Sequence, residues 1–249
     1  VSDLQRSFKD LVIANRVLAN QDVVDAYGHV SMRHPANPDR FILSRSRSPE
    51  LVEERDIMEF TLDGKVVGDD RRPPYLERFI HGGIYEARPD IMSVVHSHAE
   101  DTLPFGITDV PMKPMMHVGG LIGHSMPVWD IAEKFGDETN LLVINTDHGR
   151  DLAKRLGQGK VALMRGHGFT AAGTTIQEAV RLAIILPINA RVMTDAMDLS
   201  PKIRPLAVGE IEKRRIYDPN ASESWRAWEY WAGRAGVSDL LGEMPQSAR

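Results

Sequence analysis

His96-Ser97-His98 stands directly after Val94-Val95, at the end of the strand-like run that starts at Ile91. On an extended strand, residues two apart share a face, so both imidazoles can be aimed at one place. A second apolar run, Val161–Met164, is followed by Arg165-Gly166-His167-Gly168, where the glycines leave room for a sharp turn and a ligand. Upstream, Glu77 follows Pro73-Pro74 at the start of a helical pattern. Singly, each piece also suits a structural role: a satisfied strand-end histidine, an ordinary turn, a carboxylate favoured by the helix dipole. Together, three imidazoles and one carboxylate make a ligand set for a catalytic divalent cation, with positions left for substrate. The 249 residues include no cysteine, which excludes thiolate zinc sites, iron–sulfur clusters, disulfides and cysteine nucleophiles. Any metal must therefore rest on His, Asp, Glu or backbone oxygen.

Elements that could position these residues follow from apolar spacing. A helix is expected from Leu4 to Leu18, capped by Ser2 or Asp3, then short strands at 28–32 and 41–44. Ile57–Leu62 reads as a strand closed by Asp63-Gly64, a hairpin signal leading to Val66-Val67. A helix over Leu76–Ala87 precedes the strand Ile91–His98. Strands are expected at Leu141–Ile144 and Val161–Met164, with a short helix near Leu152–Leu156 between them and Phe169–Ala172 extending the latter strand after a glycine turn. Ile176–Met197 is the longest helical pattern, with Thr174 or Thr175 as cap and Pro187 as a bend. The expected architecture is an α/β domain of three layers, α/β/α, with a central mixed or largely antiparallel sheet over residues 1–200. Residues 201–249 form a helical extension, packed on the domain or on a neighbouring subunit.

Acidic residues outnumber basic ones 35 to 30, for a formal charge of −5, which argues against a nucleic-acid partner. Hydrophobic content of 42% is ordinary for a folded domain. The longest apolar stretch, 182–188, is broken by Pro187 and far short of the roughly 20 residues that cross a bilayer. The first residues lack the apolar core of a secretory signal, so a cytoplasmic location without membrane contact is expected.

Gly28-His29-Val30-Ser31, Glu77 with His81, His96-Ser97-His98 and Gly166-His167-Gly168, in this order, resemble the class II aldolase/adducin-like family over roughly residues 5–197. The resemblance implies that Glu77, His96, His98 and His167 bind one divalent metal per subunit, Mn2+ favoured and Zn2+ also suitable, without an organic cofactor. It further implies a homo-oligomer, commonly a tetramer, with sites between subunits. His117 falls about where aldolases of this fold carry a catalytic tyrosine, and so is a candidate general acid beside a packing or interface role. Glu77 could alternate between ligand and base, and His81, one helical turn later, could support it.

Departures from the sugar-phosphate members point to a different substrate. Where those members hold phosphate with an asparagine, a Thr-Gly pair and a Ser-Ser pair, this chain has His29, the loop Arg45-Ser46-Arg47-Ser48-Pro49, and Tyr75-Leu76. Arg45 and Arg47, two apart after a strand, could both present guanidiniums to a carboxylate, or could lie in a solvated basic loop. With His29 they are the candidate substrate-binding residues. Ser44–Leu51 and Met116–Gly120 resemble the decarboxylase branch of the family, whose substrates include 3-hydroxy-2-methylpyridine-4,5-dicarboxylate, from vitamin B6 breakdown, and 3,4-dihydroxyphthalate. The expected function is metal-dependent decarboxylation of a hydroxylated aromatic or pyridine ortho-dicarboxylate. An aldolase acting on a non-phosphorylated keto acid, or a non-catalytic adducin-like module, would keep the same fold. His34, His124 and His148 receive no role. Trp225, Trp228 and Trp231, with Tyr230 beside them, read as a packing face or as a wall over a neighbouring subunit's site.

Overall fold

The structure, a computed structural model, describes residues 2–124 and 126–244. Its strands are β1 (His29–Arg33), β2 (Arg40–Ser44), β3 (Ile57–Thr61), β4 (Ser93–Ser97), β5 (Val128–Trp129), β6 (Val161–Met164) and β7 (Gly168–Gly173). They form a seven-stranded mixed sheet in the order β3-β2-β1-β4-β7-β6-β5, antiparallel throughout except for β5 with β6. The helices are α1 (Asp3–Asn20), α2 (Arg78–Ala87), the one-turn α3 (Leu103–Gly106) and α4 (Ala132–Phe135), α5 (Thr146–Leu156), α6 (Ile176–Leu199), α7 (Val208–Arg214) and α8 (Ser222–Arg234).

Strand alternation builds two cores, one on each face of the sheet. Val30, Ile42 and Val95 pack with Leu11 and Leu18 of α1 and Leu182 and Leu186 of α6. Their neighbours Phe41, Leu43 and Val94 pack with Ile80 and Ile84 of α2 and Leu152 and Leu156 of α5. The sheet is thus covered on both sides, giving the expected α/β/α layering. Ser2 caps α1, its hydroxyl accepting the Gln5 N–H while the Gln5 side chain accepts the Ser2 N–H. Contact between α2 and α5 is very close: a Cβ on Gly83 would lie 2.4 Å from the backbone of Gly149, so a side chain there would force the helices apart. In α8, Trp228 and Ala232 join the core around α1 and α6, with Trp225 and Trp231 packed against it, so the tryptophan stripe is a packing face. Tyr230 points outward.

Several elements differ from expectation. Leu141–Ile144 is not a strand: Leu141 has φ of 64° and the Val143 N–H is given to a side chain rather than a sheet partner. Val128–Trp129 takes that place in the sheet, parallel to β6. The turn at 165–167 sends β7 back antiparallel to β6 instead of extending it. The helix near 152–156 starts earlier, at Thr146, because Asn145 caps it by accepting the His148 N–H. α2 starts at Arg78, leaving Glu77 at its cap position. α6 continues through Pro187, and α7 lies within the helical extension expected over 201–249.

Candidate metal centre

β4 carries His96 and ends one residue before His98. The turn between β6 and β7 carries His167. Gly168, with φ of +149°, makes this placement possible, since a Cβ there would sit 2.0 Å from the Ser97 carbonyl oxygen. Glu77 reaches the same point from the start of α2. One donor atom from each of Glu77, His96, His98 and His167 lies within 4.8 Å of the others. His98 Nε2 is 2.9 Å from His96 Nε2 and 3.0 Å from His167 Nε2. Glu77 Oε2 is 3.5 Å from His96 Nε2 and 3.4 Å from His167 Nε2.

These residues fit a divalent cation. Donors about 2.0–2.1 Å from one ion sit roughly 3 Å apart. The His96 Nδ1–H donates to the Phe169 carbonyl at 3.0 Å, which leaves the Nε2 lone pair for the cluster. Glu77 Oε1 accepts the buried Val143 N–H at 2.9 Å, aiming Oε2 at the imidazoles. That bond gives the Val143 N–H a partner outside the sheet. Burial alone would raise the Glu77 carboxyl, but His167 and His96 outweigh it and hold it well below the usual carboxylate range. Glu77 therefore stays ionised, as a ligand must. Burial, followed by the neighbouring His96 and His167, lowers His98 to about 4.

A cavity of about 530 Å³ opens onto this cluster. Glu77 and His98 line it together with His29, Arg47, Tyr27, Tyr75 and Leu142. Tyr75 packs on His29 with ring centroids 4.6 Å apart, and its hydroxyl donates to the Arg47 carbonyl. Of the candidate substrate arginines, Arg47 borders the cavity and Arg45 does not border it. Both are tied to Asp56, Arg45 Nε donating to Oδ1 at 2.7 Å and Arg47 Nη1 to Oδ2 at 2.6 Å. The Glu53 N–H adds a third bond to Oδ2 at 2.9 Å. Burial pushes the Asp56 carboxyl up, but these bonds prevail and lower it. Neither arginine is a freely solvated loop charge.

His29 lines the cavity and His81 lies behind it, and neither is among the four converging donors. His81 is fully buried, its ring between His29 and Ser31. Burial lowers His81 to about 3 and holds His29 well below the usual histidine range. His117 is exposed and borders a separate cavity with Arg181, Arg214, Glu223 and Trp231. His34 and His124 contact Glu59 and Glu212, His148 contacts the Leu142 carbonyl, and none is among the four converging donors. The reading from sequence alone missed Asp56, which looks like one of several acids in Glu53–Asp56, and also Tyr75, Ser31 and Tyr85. For Asp56 a signal existed: an acid immediately before a strand that pairs with the arginine-bearing one.

Fold and cluster together define an α/β enzyme type in which strand-end histidines and a helix-start carboxylate converge beside a substrate-sized cavity. Residues 9–194 match the Class II Aldolase and Adducin N-terminal domain, and the chain belongs to that family. It is 37% identical over 244 residues to Decarboxylase tropJ of Talaromyces stipitatus, covering 90% of this chain and 92% of that protein. It is 27% identical over 186 residues to 3,4-dihydroxyphthalate decarboxylase of Arthrobacter keyseri, covering 70% and 72%. An L-fuculose 1-phosphate aldolase structure from Glaciozyma antarctica PI12 has the same fold, with a TM-score of 0.75 over 98% of this chain and 93% of that one at 22% identity. Family and relatives make the chain a lyase. Among the described residues no helix is long and apolar enough to cross a membrane.

Proposed function

We infer that this chain is a divalent-metal-dependent decarboxylase acting on a hydroxylated aromatic or pyridine ring with adjacent carboxylates. The observation that carries the reading is a single cavity bordered by two of the four converging donors, Glu77 and His98, by Arg47, and by the aromatic rings of Tyr27 and Tyr75. The names of the two decarboxylase relatives support it, and 3,4-dihydroxyphthalate is a ring of this kind. A divalent cation held by Glu77, His96, His98 and His167, Mn2+ favoured and Zn2+ also suited, would supply Lewis-acid stabilisation of charge on a substrate oxygen.

The remaining work falls to the chain's own groups. Arg47, anchored through Asp56, offers its free N–H donors to the carboxylate that stays on the ring. Fixing that end orients the other carboxylate for departure. As CO2 leaves, the electron pair of the broken C–C bond stays on the ring carbon, and a proton must replace it. Glu77, held ionised, is suited to bind rather than to deliver that proton. His117 borders a different cavity within one chain, so to supply that proton it would have to come from a neighbouring copy, in a homo-oligomer whose sites lie between subunits. Tyr27 and Leu76, exposed by 67% and 63% beside the cavity, offer apolar surface for such a neighbour. A cytoplasmic location fits a chain that has no cysteine to oxidise.

The test is a panel of hydroxylated ring dicarboxylates and keto-acid aldols, offered to enzyme loaded with Mn2+ or Zn2+. CO2 release from a ring dicarboxylate without aldehyde is expected. Aldehyde or pyruvate release would replace this reading with an aldolase.

A further inference from the structure

Glu77, His81 and Tyr85 fall four residues apart and share the face of α2 that lies on the sheet. Opposite them, β1 presents His29 and Ser31, which pair in register with His96 and Val94 of β4. The result is a continuous buried chain of polar atoms leading inward from the cavity. His29 Nδ1 lies 2.6 Å from His81 Nε2, His81 Nδ1 lies 2.6 Å from Ser31 Oγ, and Ser31 Oγ lies 2.8 Å from the Tyr85 hydroxyl. His81 and Ser31 are fully buried, and Tyr85 is 1% exposed.

Donor and acceptor accounting fixes the direction of every proton along this chain. Among the described residues, Ser31 Oγ is the acceptor within hydrogen-bond distance of the buried Tyr85 hydroxyl. The phenolic proton must therefore go to Ser31 Oγ. Ser31 then gives its own proton to His81 Nδ1, so His81 carries its hydrogen on Nε2 and donates it to His29 Nδ1. The one hydrogen left to a neutral His29 is on Nε2, the ring nitrogen not turned towards His81. The opposite polarity, including one started by a doubly protonated His29, would drive Ser31 to donate to Tyr85. That would leave a buried phenolic proton without an acceptor, which folded proteins avoid.

We propose that Tyr85, Ser31 and His81 are positioning residues that lock His29 as the Nε2–H tautomer, so that the cavity wall beside the metal ligands carries a fixed neutral hydrogen-bond donor for a substrate oxygen. The site to which this donor belongs rests on the reading of the cavity as the substrate site. The ligand class is an oxygen acceptor, a ring carboxylate or phenolate, because the N–H cannot accept. His29 acts on substrate directly, whereas the inner three act through it.

The tautomer can be read without any substrate. Protein labelled with 15N-histidine and loaded with diamagnetic Zn2+ gives two-bond nitrogen–proton correlations that distinguish Nδ1–H from Nε2–H rings, with His29→Gln and His81→Gln used to assign the signals. The expected spectrum shows His29 and His81 both as Nε2–H. Tyr85→Phe and Ser31→Ala each remove one link, and in either variant the His29 signals should shift to a mixed or Nδ1–H pattern. Turnover of a ring carboxylate should fall roughly tenfold in kcat/KM, with zinc per chain unchanged. An Nδ1–H His29 in the wild-type spectrum overturns the proposal, as does an unchanged His29 pattern in the variants. If Tyr85→Phe does not fold, the wild-type spectrum and Ser31→Ala still decide. Failure of every ring carboxylate to react would remove the decarboxylase reading and leave the tautomer result standing.

Discussion

Val95 and His96 are neighbours on β4, yet they meet opposite surroundings. Val95 enters the core built with α1 and α6, where the sheet face contributes Val30, Ile42 and Val95. His96 faces α2, where Glu77, His81 and Tyr85 replace what would be an apolar stripe. Both surfaces are buried and both have an apolar core, but the α2 side adds, around His96, directional bonds whose every donor needs an acceptor. The α1/α6 face can therefore anchor the sheet through shape alone, while the α2 face can hold charged and titratable groups in fixed positions. The expected separation is between stability on one side and chemistry on the other.

Removing a ligand attacks the polar face most directly. His96→Ala or His167→Ala should abolish stoichiometric metal and cost roughly 1,000-fold or more in turnover, the several kcal/mol a Lewis acid contributes, while circular dichroism shows a folded chain. Leu11→Ala attacks the apolar face instead. It should lower unfolding free energy by about 2–5 kcal/mol in a denaturant titration and leave metal per chain unchanged. A loss of metal in Leu11→Ala would break the separation.

Acid should act on the polar face through its buried histidines. His81 is neutral in the folded protein down to about pH 3, whereas the unfolded chain takes up the proton near the ordinary histidine value of 6.5. Below 6.5 the unfolded state thus binds more protons, and stability should fall as pH drops. The His81 share is on the order of 2 kcal/mol between pH 6.5 and 5, measurable as the difference between wild type and His81→Gln. Equal acid sensitivity in both would remove it. The smallest effect is expected for Asp56→Asn, which loosens Arg47 without touching the metal. KM should rise roughly tenfold with kcat little changed and metal content intact. An unaltered KM would show that the Arg45–Asp56–Arg47 arrangement serves only the loop.

Much of the apolar face is legible in the sequence, because helix and strand periods are written residue by residue. The four converging donors are legible by type as well: a His-x-His at a strand end, a histidine between glycines and a glutamate at a helix start are local signals. What orients them is not local. Leu141–Ile144 has the composition of a strand, yet the Val143 N–H is taken by Glu77 from across 66 residues, a competition no window of sequence displays. Ser31 and Tyr85 look like an ordinary strand serine and helix tyrosine until the β1–α2 contact makes them partners. Asp56 is hidden similarly, since its meaning comes from two arginines 11 and 9 residues upstream that the sheet folds back onto it. His117 illustrates the reverse, a residue singled out by alignment whose surroundings in one chain are another cavity.

The central claim is that Glu77, His96, His98 and His167 bind one divalent cation on which turnover depends. Metal analysis of wild-type protein, stripped by chelator and titrated back with Mn2+ or Zn2+ while CO2 release is followed, tests this most directly. One ion per chain should bind, with activity absent in the stripped protein and returning in proportion to occupancy. Undiminished CO2 release from metal-free protein, or a stripped chain that takes up no ion, would contradict it.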